Sequence, residues 1–163
     1  MDSLTLSISR RWLLALAALA FGTGAAPRNR PLNVLFVCEA GTVKSPIARE
    51  HMRRLVQERG AMINVQSRGI APENHMTPEL SAALAADGID VTREPVRKIA
   101  FADLQAADVI VIFNPLPASL GVWPVRDWTD VPSMNQDYVA ARAILIPRLE
   151  SLIADLARNA QLK

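Results

Sequence analysis

A parallel α/β fold is predicted by the way two kinds of pattern alternate along the chain. Short β-rich runs at 34–37, 62–65, 108–113 and 122–125 are separated by stretches of helical periodicity. The VLFV at 34–37 and the VIVIF at 109–113 are apolar on both faces, as strands covered from both sides are. Cap and stop signals bracket the helical stretches, so the strands are joined by right-handed crossovers in one parallel sheet.

Residues 1–26 stand outside that alternation. Arg10 and Arg11 precede an apolar run over 12–21, and small residues follow up to Ala26. The run is too short to span a bilayer and reads as a secretory signal peptide, leaving 27–163 as the α/β domain of an exported, periplasmic protein. The SRRWLL at 9–14 is also similar to a twin-arginine export signal, although paired arginines precede many ordinary signals. An uncleaved membrane anchor, or a start codon placed too far upstream, would give the same pattern. Cleavage would leave no stable membrane span. It would also remove Arg10, Arg11 and Asp2, taking the net charge from +2 to +1. A nearly neutral domain without a basic stripe gives no nucleic-acid footprint.

The first strand, 34–37, runs into Cys38, the only cysteine of the chain. Seven residues on, Ser45 is a favoured N-cap and Pro46 a favoured first helical residue, so a helix is expected over 46–59 with Gly60 as its stop. Ala48, Met52, Leu55 and Val56 form its apolar stripe, with Arg49, Glu50, Arg53, Arg54 and Glu58 mostly outside it. His51 is expected at the surface or its boundary. The second strand, 62–65, leads to Ser67-Arg68-Gly69. Thr77-Pro78 opens a second helix to about residue 86, with Leu80, Ala83 and Leu84 inward and Gly88 as terminator. Residues 88–92 and a short stretch at 101–106 lead to the third strand. The weaker run 122–125 contains Pro124, which argues for an edge strand. A closing helix is expected over 137–157, offering Val139, Ile144, Leu145, Leu149, Leu152, Ile153 and Leu156 to the core, with a kink or break near residue 146 because of Pro147.

Strand, six-residue loop and helix N-terminus, with a thiol at one end and Lys44 at the other, suit an anion. Loop amides and the free amides of the helix can converge on one cluster of oxygens, and the helix dipole favours both an anion and a thiolate. Cys38 is therefore a candidate nucleophile toward a bound phosphate, and Glu39, Ala40, Gly41, Thr42, Val43, Lys44 and Ser45 are the candidate anion cradle. A buried, inert cysteine is the plain alternative. No metal-ligand cluster is present in the sequence, and no cofactor is expected.

The run from Val34 to Pro46 resembles the signature loop of the low molecular weight protein-tyrosine phosphatases and of the arsenate reductases that share their fold. That family reads Cys-x5-Arg-Ser-Pro after a strand like this one, and the chain reads Cys-x5-Lys-Ser-Pro. Lys44 stands for the family arginine, Ala40-Gly41 for its Gly-Asn pair, Val43 for the second cysteine that many members carry, and Arg68 for the alanine of a Ser-Ala-Gly turn. The resemblance extends over about 32–156. It implies a three-layer fold with a four-stranded parallel sheet in order 2-1-3-4 and helices on both faces, with the cysteine loop at the carboxyl end of the first strand.

The resemblance also implies roles. Cys38 would attack phosphorus, Lys44 would hold phosphate oxygens with a charge but without the two-pronged fork of arginine, and an aspartic acid would protonate the leaving oxygen. The family's Asp-Pro is absent. Asp130 is the first candidate for the acid and Asp127 the second, each equally well read as a loop or capping residue. A further alignment, through Trp128 and Pro132, puts Ser133 there and leaves no donor. Glu39 would oppose an incoming anion if its carboxylate pointed inward. The expected function is a weak phosphate-monoester hydrolase acting through a cysteinyl-phosphate, on phosphate esters or a phosphorylated protein. The alternative is a catalytically silent module of the same fold that binds an oxyanion or a protein. Arsenate reduction would need further cysteines.

Overall fold

The computed structural model describes residues 30–161. Strand β1 (Leu32–Cys38) leads to helix α1 (Lys44–Arg59), β2 (Ile63–Gly69), α2 (Pro78–Ala86), a short α3 (Phe101–Ala106), β3 (Val109–Ile112), β4 (Val125–Asp127) and α4 (Tyr138–Gln161). The four strands form one sheet in the order β2-β1-β3-β4, every pair parallel. The α/β class, the strand order and the helices on both faces are thus as expected. The signal-peptide reading of 1–26 falls outside the described residues. Among the described residues no helix is long and apolar enough to cross a membrane.

Alternation along β1 divides the core. Val34, Phe36 and Cys38 face the layer of α1, α2 and α4, while Leu35 and Val37 face Ile99, Leu104, Ile110 and Ile112. Phe36 is fully buried and meets Phe113 and Trp128, with ring centroids 6.2 and 6.0 Å away. Burying such a ring contributes about 1.5–3 kcal/mol. The rigid centre of the sheet ends at Cys38, so the position of the sulfur is set by the best-packed strand.

Most boundary signals act as their chemistry dictates. Thr77 Oγ1 accepts from the Leu80 amide at 3.2 Å, and Gly60 ends α1 in the left-handed region with φ of 60°. Asp137 caps α4, its Oδ1 accepting from the Ala140 amide, so the helix opens one residue later than expected.

Several expectations are corrected. Strand β4 begins after Pro124, which has no N–H to pair, so Val122 is left fully exposed. It is an edge strand, as Pro124 implied. Strand β2 extends to Gly69, four residues beyond the expected run, because Gln66 to Gly69 pair with Leu35 to Cys38. The break at Pro147 is absent. Pro147 lies on the exposed face with Ala143, so the carbonyl that loses its donor faces water, and helix continues to residue 161. Val139 and Ile144 are exposed rather than core-facing.

Two polar residues of α1 are buried against expectation. Arg49 is 2 % exposed because its guanidinium reaches Ser67 Oγ at 2.8 Å, Glu50 at 2.6 Å and Glu94 at 3.3 Å. His51 is 3 % exposed and bonds to Tyr138 Oη at 3.0 Å, and that hydroxyl donates to Asp87 at 2.8 Å. The tyrosine has one proton and directs it at Asp87, so His51 Nε2 carries the hydrogen and donates.

Candidate active site

Strand β1 delivers Cys38 to the carboxyl edge of the sheet, and residues 39–43 turn there into α1. The side chain is 5 % exposed. Two amides donate to its sulfur, that of Gly41 at 3.3 Å and that of Ser45 at 3.4 Å, and the Ser45 hydroxyl lies 3.1 Å from it. Ser45 was expected as an N-cap. Instead α1 begins at Lys44, and the buried Ser45 hydroxyl bridges Cys38 Sγ to the carbonyl of Arg68, 3.1 Å away.

The loop's carbonyls are fastened to the segment that follows β2. Ile70, Ala71 and Glu73 amides donate to the carbonyls of Cys38, Glu39 and Ala40 at 2.9–3.2 Å. Thr42 Oγ1 donates to the Glu73 carbonyl at 2.8 Å and accepts from the His75 amide at 3.2 Å. Its remaining amides are available. Among the described residues, no acceptor takes the amides of Ala40, Thr42, Val43 or Lys44. Together with the open end of α1, these groups make a cradle for an anion.

Gly41 makes this turn possible. Its φ is +70°, and a Cβ there would lie 2.7 Å from Gly69 Cα. Val43 is buried in the core. Glu39 is exposed, and its amide donates to Asn114 Oδ1 at 3.0 Å.

Lys44 leaves the loop sideways. Its ammonium donates to the carbonyl of Val131, in the segment after β4. Partial burial lowers its pKa, against the pull of Cys38 and Asp130. The same segment holds the acid candidates. Asp130 is paired through both oxygens with Arg148, at 2.7 and 2.5 Å, and this guanidinium holds its carboxyl below the usual range. Asp127 accepts from the Thr129 amide at 2.9 Å and is lowered by the Thr129 hydrogen bonds. Ser133 uses its carbonyl to accept from the Gln136 and Asp137 amides. In this arrangement Asp130 is engaged by Arg148 through both oxygens and Asp127 by the Thr129 amide, and each contact favours the carboxylate over the protonated form that a general acid needs. A hollow of about 360 Å³ beside them is lined by Arg126, Asp127, Trp128, Asp130, Arg148, Ser151 and Leu152. It includes no residue of the cysteine loop.

The structure thus brings Cys38, its loop and Lys44 together, and Asp130 close enough to act on the lysine's charge. It also adds neighbours that carried no sequence signal: Asn114, and the 73–75 segment with Asn135, whose Nδ2 donates to the His75 carbonyl at 2.7 Å. Among the described residues, no group of three or more metal-ligating side chains comes together.

The model of the family described as "Low molecular weight phosphotyrosine protein phosphatase" matches residues 33–117, just over half of the chain. YfkJ from Bacillus subtilis is similar in structure, with a TM-score of 0.68 and 20% identity over 81% of this chain and 98% of that one. An arsenate reductase in its phosphate-binding state gives 0.61 and 22%, over 76% and 98%. The tyrosine phosphatase Wzb from Escherichia coli K30, in complex with sulphate, gives 0.58 and 16%, over 76% and 97%. Among curated proteins nothing matches.

Proposed function

Because the chain belongs to the low molecular weight phosphotyrosine protein phosphatase family, we propose that it hydrolyses phosphate monoesters, slowly, through a cysteinyl-phosphate on Cys38. The observation that carries this reading is the convergence at one point of a sulfur that accepts from two amides and of four loop amides that have no acceptor among the described residues. Such amides would hold the phosphate oxygens while the sulfur attacks phosphorus in line. The substrate would be an aryl phosphate or a phosphorylated protein. Phosphate or another oxyanion would bind the same cradle, as the phosphate and sulphate of two structural neighbours encourage.

Slowness follows from Lys44. One ammonium replaces a fork, and it must first leave the Val131 carbonyl. Losing one charge-assisted hydrogen bond costs about 1.5–3 kcal/mol, roughly 10- to 150-fold in binding. Those same contacts, Lys44 with Val131 and Asp130 with Arg148, favour the second reading, a silent module that binds an oxyanion or a protein. Arsenate reduction is disfavoured because the chain has one cysteine. Export of the mature domain, from about residue 27, belongs to the same proposal.

The test is turnover of an aryl phosphate by the mature domain beside Cys38→Ser, with acid quenching to trap phosphocysteine for mass spectrometry. Turnover that depends on Cys38, with phosphate found on it, supports the hydrolase. Equal background rates from both proteins, with phosphate still bound, would favour the silent module.

A further inference from the structure

Attack on a phosphate ester expels an oxygen anion, and unless that anion is already stable it needs a proton. Asp130 is taken up by Arg148 through both oxygens, and Asp127 by the Thr129 amide, as described above. The buried His51 is engaged with Tyr138, in the layer beneath α1. Imidazole is the side chain whose charge changes nearest neutrality, and the chain has two histidines. The other one, His75, stands beside the loop.

Resting on the hydrolase reading, we propose that His75 is the proton donor and acceptor of this site, with Glu73 as the carboxylate that orients it. Its backbone is gripped by two separate segments. The His75 amide donates to Thr42 Oγ1 of the cysteine loop at 3.2 Å, and its carbonyl accepts from Asn135 of the segment after β4 at 2.7 Å. The Glu73 amide and carbonyl are tied to Ala40 and Thr42. On that anchored strap, His75 Nε2 lies 3.0 Å from Glu73 Oε2. The imidazole is 55% exposed, so solvent reaches it at the rim while Nε2 stays on Glu73. Nε2–H on the carboxylate leaves Nδ1 to handle the transferred proton, a base held by a third group.

The steps balance. Cys38 thiolate forms the S–P bond as the P–O bond breaks, and the leaving oxygen takes the Nδ1 proton of imidazolium. Neutral His75 then takes a proton from water. That water oxygen bonds to phosphorus, the S–P pair returns to sulfur, and phosphate departs.

The experiment is rapid-quench kinetics of wild type, His75→Gln, Asp130→Asn and Cys38→Ser on two esters. Phenyl phosphate has a leaving group that needs a proton, and 2,4-dinitrophenyl phosphate has one that does not. In His75→Gln the first-turnover release of phenol is expected to slow by about 10²-fold or more, while that of dinitrophenol is unchanged. Later turnovers of both esters slow, because the base is gone. Equal slowing of both first turnovers, no change in either, or a leaving-group-dependent loss in Asp130→Asn instead would overturn the assignment to His75 while leaving the hydrolase intact. Wild-type rates no higher than those of Cys38→Ser on both esters would overturn the hydrolase and this inference together.

Discussion

The ammonium of Lys44 donates to the carbonyl of Val131, so the cation of the cysteine loop is tied to the segment across its mouth. A guanidinium at the same place has five donors in a plane and can keep one contact while forking onto an anion with two others. This difference sets the first expectation. Lys44→Arg should raise turnover of an aryl phosphate at least about tenfold, the lower bound from one restored charge-assisted bond. Inhibition by phosphate should tighten in parallel. A variant that binds phosphate more tightly and turns over no faster would place the defect beyond the loop.

Alkylation of Cys38 tests the cradle without requiring catalysis. Iodoacetamide labelling, followed by mass spectrometry, should slow in the presence of phosphate or sulfate, because an anion on the loop amides covers the sulfur. Labelling at one rate with and without these ions would mean that the amides hold no anion.

The close approach of Gly41 and Gly69 is open to measurement through stability. Gly41→Ala sets a Cβ 2.7 Å from Gly69 Cα and forces a left-handed conformation with φ of +70°. Strain and overpacking together should cost at least about 2 kcal/mol. Gly60→Ala is the control. Its φ is +60° and its Cβ would meet nothing within 4 Å, so about 1–2 kcal/mol is expected from backbone strain alone. Denaturant melts showing equal losses would deny the contact its role.

Protein stability should also report on His51. Burial, then Arg142 and Arg54, push its pKa down to about 4, with Asp87 opposing. The folded protein therefore refuses a proton that the unfolded chain accepts below about pH 6.5. Stability is complete above that value and is lost as pH falls toward 4. Thermal midpoints of wild type should decline between pH 6.5 and 4.5. His51→Gln, which keeps a donor toward Tyr138, should decline less over that interval. Parallel curves for the two proteins would remove His51 as the cause.

Export is checked at the N-terminus. Mass spectrometry of the protein from its native source should find a first residue between Ala25 and Arg28. An intact Met1 in the soluble cytoplasmic fraction would contradict it.

What could be read from the sequence was whatever short-range chemistry controls. The doubly apolar runs of β1 and β3, the Thr77-Pro78 and Gly60 signals, and the cysteine loop all depend on neighbours within a few residues. The misreadings share one cause, partners distant in sequence. Arg49 has the polarity of a surface residue until Ser67 and Glu94 meet it, and His51 until Tyr138 does. Pro147 has the sequence of a breaker and the position of a bystander, since only burial tells which face it lies on. Ser45 has the local signature of a cap, but a sulfur seven residues earlier claims its hydroxyl. The Asp130–Arg148 pair spans 18 residues and engages both oxygens of the candidate acid, which favours its carboxylate.

Ser45 has a consequence for how the sheet senses the sulfur. Its hydroxyl owns one proton and has two claimants, the Arg68 carbonyl and Cys38 Sγ. While the sulfur is a thiol it can donate to the hydroxyl, which passes its own proton on to Arg68. Once the sulfur is an anion it can only accept, so the hydroxyl must turn and Arg68 loses that donor. Ionisation at the end of β1 is thus written into the penultimate residue of β2. The carbonyl stretch of Arg68, isotopically labelled, would serve as an infrared gauge of the charge on Cys38.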